Sequence, residues 1–543
     1  MNKLIQPKTL KGFRDFLQSL MINKKRMISI IEKNFESFGF APIDTPCLEY
    51  SEILLGKGGD ETDKQLFRFN DNGNRDVTLR FDLTVPLARF TAEHYNELGM
   101  PFKAYHIAPV WRGENTTKGR HREFYQCDFD ILGTETNFAD VEIGILIHTT
   151  IKDLIGSDDF TIRFNNRLIL NALMKKLNLE EKTTGVLRVI DKIYKQSEEK
   201  IIAELIDSVG LTKEQTESVL DFVKIKGENK EIIAILEDKF KDNEDALKGV
   251  ANLKEFVLTF ESLGFNTLKI DLCIARGLDY YTGSVFETML NKLPEIGSIC
   301  SGGRYDNLAS LYTTNKIPGV GASVGLDRLI DALEELKLLE KKSTPAKVLI
   351  LMMDQKYKAE YLQIAMKLRS SGIKTELFNE QKKIDKQMKY ADRKGFNFII
   401  TNGSNEFSEN KIRIKNMQTA EVSEANLDNL VTSMKNLIIN SNNNKFKLDI
   451  FSKIKEINEK LSNRNNQENE LDIFSKIKEI NEKLSNRNNQ ENELDIFSKI
   501  KEINTELQRD QNVALSKTNL DISQDWNSLT NELLKHNKVE KIY

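Results

Sequence analysis

Between Lys24 and Phe38 the apolar residues Met27, Ile31, Phe35 and Phe38 recur every three or four positions, which predicts an amphipathic helix. The next stretch, Ala41 to Leu48, carries Pro42 and Pro46 and reads as extended chain. Phe67-Arg68-Phe69 and Val77-Thr78-Leu79-Arg80-Phe81 flank Asp71-Asn72-Gly73-Asn74, the pattern of two strands around a tight turn. From about residue 152 to 265 the pattern is mostly helical and lysine-rich. Lys347-Val348-Leu349-Ile350-Leu351-Met352 is a run for a buried strand, and Phe396-Asn397-Phe398-Ile399-Ile400-Thr401 is a second strand after helical sequence. This alternation predicts a separate α/β domain over residues 346–437, entered through the lysine-rich stretch Leu336 to Pro345. The fold class expected for the folded part is therefore α/β (α+β).

The last hundred residues follow another pattern. Leu448 to Glu470 recurs unchanged from Leu471 to Glu493, and a third copy begins at Leu494 and diverges after Asn504. In the first copy Ile450, Ile454, Ile457 and Leu461 form a helical apolar seam, and the following Ser-Asn-Arg-Asn-Asn is a poor helix former. A 23-residue period is not a multiple of seven, so no unbroken heptad seam runs through the copies. Trp526, Leu529 and Leu533 predict a further helix near Ser523–Leu534. Residues 441–543 thus read as a helical tail with repeats at 448–470, 471–493 and 494–507. Its segments are short for stable lone helices, so the tail is expected to self-associate or bind an unknown protein.

Composition narrows the options. A net charge of −3 over 543 residues excludes a basic coat, so any nucleic-acid contact must come from local patches. The tail carries 17 Lys+Arg against 18 Asp+Glu and is a poor phosphate-binding arm. Cys47, Cys127, Cys273 and Cys300 match no zinc spacing and read as free thiols in a reducing compartment. The first residues lack the apolar core of a signal peptide, and no stretch approaches about 18 uninterrupted apolar residues. A cytoplasmic protein with no membrane partner is expected.

The chemistry-bearing residues cluster in four segments. Arg112, Arg120, Arg276 and Arg328 each stand in a Gly- or turn-rich context beside strand-like sequence. Several such guanidinium forks suggest a polyphosphate, although a single arginine of this kind is more often structural. Asp82, Glu114 and Asp130 lie in or beside apolar, strand-like sequence, where an acid needs a partner or a ligand. Tyr280 and Tyr281 follow Arg276 on a Gly-punctuated loop, a setting for a flat polar ring beside a negative charge. There is no Walker A motif.

In order along the chain, these segments resemble histidyl-tRNA synthetases of class II. Lys11-Gly12-Phe13-Arg14-Asp15-Phe16 is similar to the family's start, and Phe38-Gly39-Phe40 through Thr45-Pro46 to its motif 1. Val110-Trp111-Arg112-Gly113-Glu114 through Phe124 resembles motif 2, and Gly325-Leu326-Asp327-Arg328 the start of the motif 3 helix. Ala275 to Gly283 and Gly302-Gly303-Arg304-Tyr305-Asp306 resemble the two histidine-specific signatures. The resemblance implies an antiparallel-sheet catalytic core over residues 1–151 and 266–335, a helical insertion over 152–265, and an anticodon-binding domain over 346–437. It implies a homodimer acting on ATP, L-histidine and tRNA(His), with Mg²⁺ on the departing pyrophosphate.

Residue by residue, the resemblance implies that Arg112 holds the α-phosphate, Glu114 takes the adenine amino group and Phe124 stacks on the ring. Arg120 and Arg328 grip the outer phosphates. Asp82, Thr84 and Gln126 take the histidine ammonium, and the imidazole lies between Asp130 and Tyr281 with Tyr280 nearby. Arg276 is the catalytic cation. Arg80-Phe81-Asp82-Leu83-Thr84 and Glu123 through Asp130 resemble the eukaryotic-like branch, since the common bacterial form has Arg-Pro-Glu-Gly-Thr. Two other readings stand beside this one. A catalytically inactive paralogue regulating histidine biosynthesis would keep the fold but typically lose the ATP arginines or the last domain. A scaffold working through its tail would bind its partner whether or not the enzyme works.

Overall fold

The computed structural model describes residues 4–56, 63–194, 196–274 and 280–441. The expected tail helices and repeats, and Arg276, lie outside these residues. The chain divides into two compact units at Thr344/Pro345.

The first unit is built on an eight-stranded sheet. Its strands are β1 (Ala41–Pro42), β5 (Phe102–Trp111), β6 (Glu123–Leu132), β7 (Phe160–Asn166), β8 (Leu268–Ile270), β9 (Ser284–Leu290), β10 (Cys300–Tyr305) and β11 (Gly319–Gly325). They run in the order β1-β5-β6-β11-β10-β9-β7-β8, antiparallel from β5 through β7, with β1 and β8 joined in parallel at the edges. A separate antiparallel sheet joins β2 (Leu48–Tyr50), β4 (Asp76–Leu79) and β3 (Arg68–Asn70) in that order. The β3–β4 turn is pinned by Asp71, whose carboxylate accepts from the Gly73 and Arg75 N–H groups, both at 2.9 Å, while Asn74 takes φ +56°.

Strand β6 explains how the sheet divides core from site. Cys127, Phe129 and Ile131 point to one face and join the main core, where Phe129 packs 4.6 Å from the Phe35 ring. Phe124, Gln126, Asp128 and Asp130 alternate with them and must occupy the other face. The helices Gln18–Ser37 and Asn137–Ile155 cover the core face. One strand, β7, lies inside the stretch read as mostly helical. The helices that follow it, from Arg167–Lys176 to Glu244–Ser262, share the main core.

Met27, Ile31 and Phe35 of the first helix are buried within this one chain, no more than 5% exposed. Exposed apolar surface lies instead on the small sheet. Tyr50 and Phe69 both pair with Val77, and Leu48 with Leu79, so these side chains share one face. Leu48, Tyr50 and Phe69 are exposed there.

In the second unit β12 (Val348–Ile350) lies parallel to β13 (Thr375–Leu377) and β14 (Phe398–Ile400), with β15 (Lys411–Asn416) and β16 (Val422–Asn426) added antiparallel beside β14. Val348, Ile350, Phe398 and Ile400 enter a core with the helix Lys358–Ser370. Leu349 and Ile399 enter another core with Ala391 of the helix Ile384–Lys394. Burial on both faces is why β12 is an unbroken apolar run.

Candidate active site

The outer face of β6 and its neighbours carry most of the residues singled out by sequence. Along β6 the series Phe124, Gln126, Asp128, Asp130 spans about 20 Å at the rise of an antiparallel strand. The neighbouring positions are small: Ala108 and Ala104 on β5 face Gln126 and Asp130, and Gly321 on β11 faces Asp130. A Cβ on Gly321 would stand 1.9 Å from Asp130 Oδ1. One on Gly303 would meet the Tyr281 ring at 2.9 Å. These glycines leave the room in which the carboxylate and the ring lie.

One end of this face is cationic. Arg112 lies 4.3 Å from the Phe81 ring centroid and 5.1 Å from that of Phe124, and its Nε donates to the Phe81 carbonyl at 3.1 Å. Arg328, on the first turn of the helix Leu326–Glu335, donates to the Gly119 carbonyl at 3.3 Å and the Ser298 carbonyl at 2.5 Å. Its charge is disfavoured by burial and by repulsion from Arg120 and Arg112, partly offset by Glu114. The exposed Arg120 side chain donates to Glu114 at 3.1 Å. A buried guanidinium disfavoured by two neighbouring ones is the condition an oligo-anion relieves.

The other end is anionic. Asp82, Asp128 and Asp130 are each 3–5% exposed. Asp82 accepts from the Val85 N–H at 2.9 Å, just ahead of the helix Thr84–Glu93. Burial raises its pKa, against the pull of that N–H and of Arg112. Asp130 accepts from the Tyr305 hydroxyl at 2.6 Å, and burial drives its pKa upward. Asp128 is pushed well above the carboxylate range by burial and by Asp130. Tyr280 and Tyr281 stack edge to face at 5.1 Å, and burial lifts both phenols, so they remain neutral. Among the described residues, the buried Tyr280 hydroxyl, Gln126 Oε1 and Asp128 Oδ1 make no hydrogen bond of ordinary length, although Thr84 lies near Tyr280 and the Ser323 hydroxyl near Asp128. A group of mutually repelling acids with orphaned polar atoms calls for a cationic, hydrogen-bonding ligand.

The described residues thus bring together Asp82, Thr84, Arg112, Gln126, Asp130, Tyr280 and Tyr281. Glu114, Arg120, Phe124 and Arg328 stand at the cationic end. Sequence reasoning assigned no role to Tyr305, Ser323 or Asp128. Asp128 had a legible signal, the polar–apolar alternation from Gln126 to Ile131; Tyr305 and Ser323 come from other strands. Arg80 and Arg304 show the structural use of arginine. Arg80 is fully buried and donates to the Pro109 and Thr45 carbonyls at 2.9 and 2.6 Å. Arg304 pairs with the buried Asp140 and donates to the Thr134 carbonyl at 3.0 Å and the Thr136 carbonyl at 3.2 Å. Asp327 braces the motif, accepting from Arg14 at 2.9 Å, Lys24 at 3.3 Å and the Tyr125 N–H at 2.5 Å. Among the described residues, no three His, Cys, Asp or Glu side chains could hold a metal ion, and no helix is long and apolar enough to cross a membrane.

The chain is similar to known proteins over most of its length. Residues 12–329 match the family model described as Histidyl-tRNA synthetase, and residues 347–437 match that of an Anticodon binding domain. The histidine–tRNA ligase of Rhodopirellula baltica is 50% identical over 420 residues, 77% of this chain and 95% of that protein. The histidine–tRNA ligase of Clostridium tetani is 44% identical over 438 residues, 80% and 99% of the two chains. The crystal structure of histidyl-tRNA synthetase from Nostoc sp. PCC 7120 superposes with a TM-score of 0.72 at 34% identity, covering 80% of this chain and all of that one.

Proposed function

The chain belongs to the histidyl-tRNA synthetase family and joins histidine to tRNA, and from that premise we propose how its own residues divide the work. The observation that carries the assignment is the polarity of the cleft, with guanidiniums at one end of β6 and buried carboxylates at the other. ATP lies at the cationic end. Arg112 holds the α-phosphate, Arg120 and Arg328 the outer phosphates, and Phe124 and Glu114 the adenine. Histidine lies at the anionic end, with its ammonium on Asp82, Thr84 and Gln126 and its imidazole between Asp130 and Tyr281. Tyr305 orients Asp130. Any side-chain amide or plain ring put in place of imidazole leaves one of these buried groups unmatched, which is the physical basis of selectivity.

The substrate carboxylate is the nucleophile in the first step, so the protein supplies position and charge. Arg112 and Arg276 stabilise the charge that builds on the α-phosphoryl oxygens. Magnesium arriving with ATP would supply positive charge for the departing pyrophosphate, at the end of the site where Arg120 and Arg328 hold the outer phosphates. Residues 346–437 recognise the tRNA anticodon region. The histidine pocket follows the eukaryotic-like pattern of Arg80 to Thr84 although close relatives are bacterial. A second copy of the chain covers the apolar face of β2, β4 and β3, giving a homodimer; a monomer in sedimentation at micromolar concentration is the opposing result. The tail self-associates or binds a protein partner, and the protein works in the cytoplasm. An inactive regulatory paralogue would not be expected to keep Arg112, Arg120, Arg276 and Arg328 together with the last domain. Pyrophosphate exchange with each amino acid tests the assignment: histidine alone supports exchange, and exchange with none or with several refutes it.

A further inference from the structure

We propose that Asp128 is a binding residue for the α-ammonium of histidine, a role it shares with Gln126. The inference rests on the placement of histidine given above. Asp128 is 3% exposed, and among the described residues its Oδ1 makes no hydrogen bond of ordinary length, with the Ser323 hydroxyl nearby. Gln126, two residues earlier on the same face of β6, is in the same condition. Its Nε2 donates to Ser323 Oγ at 2.9 Å, which fixes the amide and turns an unpartnered Oε1 outward. Thr84 Oγ1 donates to the other Asp128 oxygen at 3.5 Å, which ties the start of the helix Thr84–Glu93 to this stretch of β6. Two buried acceptors on one face of β6 suit the N–H donors of an ammonium.

Charge points the same way. Burial and the neighbouring acids push the Asp128 carboxyl well above its ordinary range, and burial raises Asp82 in the same direction. A bound ammonium stabilises the ionised carboxylates, and a neutral imidazole does not. Asp128 is assigned to the ammonium because Thr84 donates to it and Gln126 stands beside it toward the cationic end. The ring side is already served by Asp130, oriented by Tyr305.

Calorimetric titration with histidinol, which keeps the ammonium, and with 3-(imidazol-4-yl)propionate, which lacks it, separates the possibilities. Asp128→Asn keeps the shape and removes the charge. It should weaken histidinol roughly 10- to 100-fold, as for loss of one charge-assisted hydrogen bond, and leave the propionate within about threefold. Asp130→Asn should weaken both. Equal weakening of both ligands by Asp128→Asn puts the residue on the ring and overturns the proposal, as does no change in either. Failure of Asp130→Asn to weaken either ligand would instead overturn the placement of histidine itself. Should Asp128→Asn not fold, a histidine complex of the unaltered protein decides. The ammonium nitrogen is expected about 3 Å from Asp128 Oδ1, and a separation beyond about 4 Å refutes the contact.

Discussion

Replacing Gly321 by alanine tests whether the glycine floor exists to seat Asp130. The added Cβ would fall 1.9 Å from Asp130 Oδ1 and 2.7 Å from the Phe129 carbonyl oxygen, where ordinary contact begins near 3.4 Å. Gly321 is on β11, hydrogen-bonded on both sides by β6 and β10, so the backbone has little freedom to retreat. The Asp130 carboxylate must therefore shift by about 1.5 Å, taking it out of its 2.6 Å bond with Tyr305 and out of line with the imidazole. A charge-assisted hydrogen bond to the ligand is worth about 1.5–3 kcal/mol, so the KM for histidine should rise roughly 10- to 150-fold. Overpacking should also cost about 1–3 kcal/mol of stability. Gly325→Ala is the control on the same strand, since its Cβ would find only ordinary contacts at 3.7 and 3.9 Å. Pyrophosphate exchange at varied histidine, with thermal unfolding of both variants, reads the two effects separately. A folded Gly321→Ala protein with a histidine KM within twofold of the parent would show that Asp130 does not hold the substrate.

Arg276→Ala should slow adenylate formation about 10²–10³-fold in single-turnover measurements while histidine still binds, and Arg276→Lys should remain poor because a point charge does not replace a planar fork. Arg304→Met should cost about 3–5 kcal/mol in denaturant unfolding by leaving Asp140 buried and unpaired; a loss below about 1 kcal/mol would refute that pairing. His148 stacks 3.8 Å from Phe265 and burial lowers its pKa to about 4. A histidine kept neutral by folding contributes stability above its unfolded pKa near 6.5, and that contribution is lost as the pH falls toward 4. His148→Gln should therefore flatten the loss of stability between pH 6.5 and 4, and an unchanged slope would assign it elsewhere. Deleting residues 441–543 should leave histidylation of tRNA nearly unchanged, and a large loss in aminoacylation would give the tail a catalytic role.

The sequence by itself determined the local elements and the chemical inventory. The apolar spacing of Met27, Ile31 and Phe35 marked a helix, and the run at Val348–Leu351 marked a strand buried on both faces, because these periods depend on neighbours only a turn or two away. The ordered signatures around Arg112, Tyr281 and Arg328 carried the family. What the sequence could not decide was which groups meet. Tyr305 reaches Asp130 across 175 residues and Arg14 reaches Asp327 across 313, contacts that exist only once the strands are ordered β6-β11-β10 and the first helix is laid over them. Tertiary packing also took the apolar stripe of the first helix into the chain's own core and left exposed apolar residues on a small sheet. It separated the two uses of arginine as well. Arg80 and Arg304 are bound among buried acceptors away from the site face, whereas Arg328 stands among the like charges of Arg120 and Arg112. Burial and the positions of distant charges set that distinction, and neither is encoded in local spacing.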